Sequence, residues 1–308
     1  MRAYVAVTDG DWFSFLRARS QLDEVNFWQP SAGRPIRSLE PGDLFLFKLH
    51  VRDGGKIVGG ATYMWYSPFP AWLAWEAFEE KNGAATFDEM RTRIERYRRA
   101  PIGPGKAEVG CIVLREPFFF DERYWVAAPR NWKPNIVQGK GYDLTEGIGR
   151  ELWDEVSRAW QLSGARPVGA PEVPERPMFR EAIGRVRLGQ GTFQVMVRDA
   201  YQRRCAVTRE KALPVLQAAH IRPVTAEGQH QVSNGLLLRS DVHTLFDRGY
   251  ATVSADLRFR VSRRLKSDFD NGEHYYALAG TELWLPTRPD ERPSTESLEW
   301  HADTVFLG

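Results

Sequence analysis

The stretch from Arg204 to Gly249, RCAVTREKALPVLQAAHIRPVTAEGQHQVSNGLLLRSDVHTLFDRG, decides how the C-terminal part of this chain folds. Val215 to Ile221 is an apolar run that carries His220 near its end, and Arg222 to Ser233 is polar and irregular. Gly235 to Arg239 (GLLLR) reads as a short buried strand, and Ser240 is suited to cap a helix from Asp241 to Phe246. The order is therefore strand, loop, strand, helix. Three polar side chains sit at its junctions: His220 at a strand end, Asn234 at the loop end and His243 in the first helical turn. A helix packed across the hairpin brings all three to one point.

Phosphodiester hydrolysis needs what such a point provides. A neutral imidazole takes a proton from water near neutral pH. A divalent ion on nitrogen and oxygen ligands offsets charge that grows on the phosphate and on the departing sugar oxygen. Ligands of this kind suit Mg2+ or Mn2+.

The same residues carry a resemblance. The stretch is similar to the HNH nuclease family of the ββα-metal fold, in particular to the restriction-type branch with an AAHI…NGLLLR-D-H-LFD-G pattern. Arg187 to Phe193 and Ala200-Tyr201 fit that branch as well. The resemblance implies a metal-dependent DNA endonuclease acting on double-stranded DNA. It implies that His220 is the general base, that Asn234 orients the loop and touches the metal, and that His243 is a metal ligand. Many relatives place an Asp or His ligand just before the base, where this chain has Ala219. Asp241 then either replaces that ligand or serves the helix dipole. Arg222 and Arg239 flank the site and can clamp phosphate; either can equally pair with a carboxylate. The remaining histidines, His50, His230, His274 and His301, are expected at the surface.

Outward from this stretch, the run from Arg176 to Lys211 holds nine basic residues against three acids, Arg203 and Arg204 among the former. Such an imbalance can track a phosphate backbone or form a solvated helical face. Thr192 to Arg203 has helical apolar spacing, which is core packing. Gly164 to Pro177 (GARPVGAPEVPERP) is the linker candidate, because proline removes backbone donors and disfavours helix. The division expected is 1–163, a 164–177 linker, and 178–308.

The first part is rich in tryptophan and in strand signals. Asp43 to Leu49 follows the turn pair Pro41-Gly42, Lys56 to Tyr63 follows Gly54-Gly55, and Glu108 to Leu114 is a third apolar run. Thr86 with Glu89 forms a capping box for a helix through about Arg99. The fold class expected is α+β. Glu24 to Pro30, Leu39 to Phe47 and Ile57 to Ala61 resemble the PUA-like superfamily, particularly EVE-type domains. That resemblance implies a reader that flips a modified cytosine into an aromatic cage. The cage candidates are Trp28 and Trp65, with Trp132 and Tyr142 behind them and Asn26 on the base edge. The alternative role for each tryptophan is core packing.

The bulk composition agrees with a globular protein of 308 residues, 43% hydrophobic and 27% charged, with a net charge of +2. No stretch is apolar for long enough to span a bilayer, and Met1 to Val5 reads as a strand, so a cytoplasmic location is expected. The two cysteines, Cys111 and Cys205, form no CxxC pair, which excludes a disulfide framework and a knuckle of paired cysteines. The combined expectation is a modification-dependent restriction endonuclease, acting as a homodimer to break both strands. The competing readings are a nuclease whose first domain binds protein, and a non-catalytic DNA-binding protein.

Overall fold

Strand β3 (Leu44–Leu49, LFLFKL) organises the first half of the molecule because both of its faces are buried. Successive strand side chains point to opposite sides. Phe45 and Phe47 meet the rings of Trp12 and Phe27, with Trp12–Phe47 at 5.2 Å and Phe27–Phe45 at 5.0 Å. Leu46 points the other way, into a cluster with Val5, Ile57, Phe118, Leu152 and Val156. A strand covered on both sides is largely apolar, which is why this run shows no alternation; its one polar residue, Lys48, is buried and donates to the Leu49 carbonyl.

The computed structural model describes residues 1–33, 36, 38–103, 107–163 and 188–308. The chain divides into two compact units, residues 1–181 and 182–308. The proline- and glycine-rich segment 164–177 lies outside the described residues. In the first unit, β1 (Arg2–Thr8), β2 (Glu24–Gln29), β3, β4 (Ile57–Pro70), β5 (Glu108–Phe119) and β6 (Gly139–Asp143) form one sheet in the order β2-β5-β4-β3-β1-β6. β1 and β3 run parallel and the other pairings are antiparallel. Strands β4 and β5 run well past the expected segments and pair along their length through two register shifts. Helix α1 (Gly10–Arg17) lays Trp12 and Phe13 on the aromatic face, and α2 (Ala71–Phe78) follows β4 directly. Helix α3 (Phe87–Arg98) is capped as expected: Thr86 accepts from the Glu89 amide, and Glu89 accepts from the Ala85 amide. Helix α4 (Gly147–Ser163) covers the second face, with Trp160 4.5 Å from Phe118.

Among the described residues of the second unit, the first helix is α5 (Gln190–Ala200), whose Phe193 and Val197 are fully buried. Antiparallel strands β7 (Leu216–His220) and β8 (Gly235–Arg239) come next, then α6 (Ser240–Asp247) and the hairpin of β9 (Ala251–Val253) with β10 (Phe259–Val261). Short helices α7 (Arg264–Phe269) and α8 (Glu273–Tyr276) and the final α9 (Thr295–Thr304) complete it. The mixed architecture is α+β. Among the described residues, no helix is long and apolar enough to cross a membrane. Both cysteines are free and buried.

His301, expected at the surface, is a core residue at 2% exposure. Its ring stacks on Phe246 at 3.7 Å. Nε2 faces the Phe246 carbonyl at 3.2 Å and Nδ1 faces the Thr252 hydroxyl at 2.9 Å. A carbonyl only accepts, so Nε2 carries the proton and Nδ1 accepts from Thr252. Burial pushes the imidazole pKa down to about 4.

A base whose folded pKa lies below its unfolded one stabilises the fold fully above the unfolded pKa, about 6.5 for histidine. That contribution is lost as pH falls from there toward the folded value. Between about pH 7 and pH 5, His301 alone is expected to remove roughly 2 kcal/mol from the second unit. Calorimetric unfolding of the full chain at several pH values should show this slope, and His301→Gln should reduce it, leaving the part contributed by His220, whose pKa is also pushed down to about 4. An unchanged slope in that variant would place the acid sensitivity elsewhere.

Candidate active site

The β7–β8 pair sets the register of the site, with His220 opposite Gly235. Gly235 has no side chain because α5 lies directly on it: a Cβ there would stand 2.6 Å from Val197 and 3.0 Å from Phe193. This close approach lets the Phe193 ring stack on His220 at 4.0 Å, with the planes only 8° apart. His220 is half-buried. Burial above all, reinforced by the fields of His230 and His243, pushes its pKa down to about 4 against the pull of Asp247. The ring is therefore neutral at physiological pH and has a lone pair to offer.

Asn234 is buried at 5% and closes the intervening loop. Its Oδ1 accepts from the Arg222 amide at 3.0 Å, and its Nδ2 donates to the carbonyls of Arg222 and Gln229, each at 2.9 Å. Both amide protons are thus engaged, and the side chain ties the two ends of the loop together. Gly228 completes the closure, since a Cβ there would meet the Arg222 carbonyl oxygen at 1.9 Å.

His243 projects from the first turn of α6. Its Nδ1 lies 2.8 Å from Gln217 Oε1, and its Nε2 lies 3.2 Å from Asp247 Oδ2, one turn further along the same helix. An amide oxygen only accepts, so Nδ1 holds a proton. On a neutral ring, Nε2 then presents a lone pair to a carboxylate oxygen. Two electron-pair donors this close need a cation, either a second ring proton or a metal ion. A histidine whose other ring nitrogen is fixed by an acceptor is the usual arrangement at metal sites. Among the described residues, no group of three or more His, Cys, Asp or Glu side chains is placed to hold a metal. His243 and Asp247 are a pair of donors that could hold an ion that keeps most of its water, as Mg2+ does.

Several expected contacts are redirected. Arg239 and Asp241 pair with each other, Nε to Oδ1 at 2.7 Å and the second nitrogen to Oδ2 at 2.8 Å. The Arg239 guanidinium holds the Asp241 carboxyl below its usual range, and the two side chains brace each other. Arg222 braces its own loop, donating to the Ala226 carbonyl at 2.6 Å and meeting Glu227 at 3.2 Å. Arg204 lies over the Trp284 ring at 5.1 Å, and Arg203 follows the end of α5, its amide donating to the Arg198 carbonyl. Ser240 is the first residue of α6, and the capping position belongs to Arg239, which offers no side-chain cap.

His230 was expected at the surface and instead stands in the site, its Nδ1 2.9 Å from His220 Nε2. Gln217 and Asp247 were also passed over. The signal for all three lay within the quoted stretch: Gln217 shares the strand of His220, Asp247 follows His243 by one helical turn, and His230 sits on the loop that must return to Asn234.

The cage candidates of the first unit occupy two places. Asn26 and Trp28 are on β2, at one edge of the sheet, and both serve the framework. Asn26 is fully buried and donates to Asn82 Oδ1 at 2.8 Å; Trp28 donates its indole N–H to the Asn82 carbonyl at 2.9 Å. Tyr142 is on β6, at the other edge, buried and donating to Asn131 Oδ1 at 2.9 Å, with its phenol pKa pushed up to about 12 by burial. Trp132 packs with Tyr142 against the same core and carries Lys48 Nζ 4.9 Å from its ring. Trp65 is half-buried at a register shift of β4. Asn26 and Trp28 are therefore structural residues, and the five do not form one cage.

Comparison with known proteins gives a family match and two weak structural likenesses. Residues 205–254 match the family model described as HNH endonuclease. No curated protein matches the chain. Among solved structures, the ZmASCH Y47F mutant protein from Zymomonas mobilis is 10% identical, with a TM-score of 0.34, over 49% of this chain and 96% of its own. A structure described as the modification dependent TagI restriction endonuclease is 15% identical, with a TM-score of 0.28, over 94% of this chain and 78% of its own.

Removing the loop tie should be costly. Asn234→Ala leaves the Arg222 amide and two carbonyls without partners, and the unfolding free energy of the second unit is expected to fall by about 2–3 kcal/mol. Urea unfolding of the full chain measures this. A change below about 0.5 kcal/mol would mean that the loop holds itself without the tie.

Proposed function

From the HNH endonuclease domain at residues 205–254, which makes this chain a DNA-hydrolysing nuclease, we propose that His220 is the general base and that His243 with Asp247 holds a divalent ion beside it. The observation that carries the reading is the junction itself. The half-buried neutral imidazole of His220 and the loop tied by Asn234 lie at one end of the β7–β8 pair, and His243, held by Gln217 of the same strand and facing Asp247, lies within electrostatic reach of that imidazole.

His220 takes a proton from a water molecule as its oxygen forms a bond to phosphorus. The bond from phosphorus to the 3′ oxygen breaks, and that oxygen leaves with a proton from solvent, giving 5′-phosphate and 3′-hydroxyl ends. An ion held by His243 and Asp247 would supply charge stabilisation to the phosphate and the leaving oxygen. Asn234 acts on this chemistry through position, by holding the loop that follows His220. Mg2+ or Mn2+ is the expected ion, given one imidazole, one carboxylate and water as its ligands. One such site cuts one strand, so a break in both strands calls for two copies of the chain.

The substrate reading extends to the first unit. We infer that it restricts cleavage to DNA carrying modified cytosine, as the resemblance of residues 1–160 to PUA-like readers suggests. The support is the sequence pattern and the folding of this part as a separate unit with its own core.

Replacing His220 with Ala should lower the cleavage rate by about 100- to 10,000-fold and leave DNA affinity nearly unchanged. Cleavage at the wild-type rate would remove the base assignment. Duplexes identical except for ordinary, methylated or hydroxymethylated cytosine should be cut at different rates; equal cutting of all three would leave the first unit a protein-binding module.

A further inference from the structure

His230 stands where it can decide which nitrogen of His220 is available for chemistry. Its Nδ1 is 2.9 Å from His220 Nε2, and the two rings meet edge to face at 4.9 Å and 66°. One proton lies between these nitrogens, and it belongs to one ring or the other. A neutral imidazole carries a single N–H. If His230 were the donor, the proton of His220 would sit on Nδ1, and neither nitrogen of His220 would have a lone pair for water. If His220 is the donor, its Nε2 is protonated and Nδ1 is open.

The backbone around His230 is held firmly enough for this. Its carbonyl accepts from the Leu188 amide at 3.2 Å, and the carbonyl of Gln229, just before it, accepts from Asn234 Nδ2. Phe193 lies against both rings, stacked on His220 at 4.0 Å and tilted toward His230 at 5.8 Å. The Asn234 tie, the Phe193 ring and the Leu188 amide therefore all fix the geometry of the His220–His230 pair.

We propose that His230 is a positioning residue: through Nδ1 it accepts the Nε2–H of His220, fixing that ring as the tautomer whose Nδ1 lone pair receives the proton of the attacking water. This rests on His220 being the base. The His230 ring itself touches neither water nor phosphate in this role, and its effect passes through the orientation and tautomer of its neighbour.

The test uses the full chain labelled with 15N-histidine, without divalent metal, and compares wild type with His230→Ala and His230→Asn. In the wild type, the His220 ring should show Nε2–H and an unprotonated Nδ1. His230→Ala should give a mixture of tautomers and a single-turnover cleavage rate about 10- to 100-fold lower, with DNA affinity within about 2-fold. The Oδ1 of Asn stands near the place of imidazole Nδ1, so His230→Asn should restore the tautomer and most of the rate. Three results would overturn the proposal: His220 protonated at Nδ1 in the wild type, His230→Ala cutting at the wild-type rate, or His230→Asn no better than Ala. The base assignment fails separately, on wild-type cleavage by His220→Ala, whereas the tautomer is read without any cleavage.

Discussion

Asn234 holds the loop between β7 and β8 through three hydrogen bonds, one to the Arg222 amide and two to the carbonyls of Arg222 and Gln229. Each is worth about 1 kcal/mol net, but leaving any of these buried groups unpaired would cost more. The larger consequence is geometric. The clamp fixes where the chain goes after His220 and where it returns before β8, and His230 lies on the part between. Register across β7–β8 then places Gly235 opposite His220, and the missing side chain admits α5 with its Phe193 ring. The positions of His220 and His230 follow from this one amide and one absent Cβ.

The α6 side of the site is set differently. His243 and Asp247 are separated by one helical turn, so the helix alone places them together. Gln217 reaches across from the strand of His220 to fix the His243 ring. The proposed base thus depends on a loop, and the His243–Asp247 pair depends on a helix. The two sets are joined by the strand that carries both Gln217 and His220. Arg239 and Asp241, at the junction of β8 and α6, pair with each other and brace the turn at which the strand becomes the helix.

The sequence revealed the elements of the second unit because their patterns are local. GLLLR is β8 to the residue, and the helix after it differs from expectation by one residue at each end. His220 ends β7, Asn234 closes the loop before β8 and His243 sits in the first turn of α6, the element positions that the sequence implied. What the sequence concealed depended on distant partners. His301 looks like any polar residue in a C-terminal helix until Phe246 and Thr252, many residues earlier, close over it. Asn26 and Trp28 looked available for a ligand because a half-apolar strand does not disclose what covers it; Asn82, on a turn more than fifty residues later, takes both. Arg239 and Asp241 are two positions apart, a spacing that never pairs within a regular helix. They meet because the chain changes from strand to helix between them.

Each unit holds one cysteine, Cys111 on β5 and Cys205 ahead of β7, and neither thiol is exposed to solvent. Cys205 Sγ also accepts the Arg239 amide at 3.2 Å, which moors the end of β8. A small alkylating reagent can reach such a sulfur only when the surrounding structure opens. The chain therefore carries a built-in clock in each half, and the rates at which the two thiols are modified report separately on how often each core breathes.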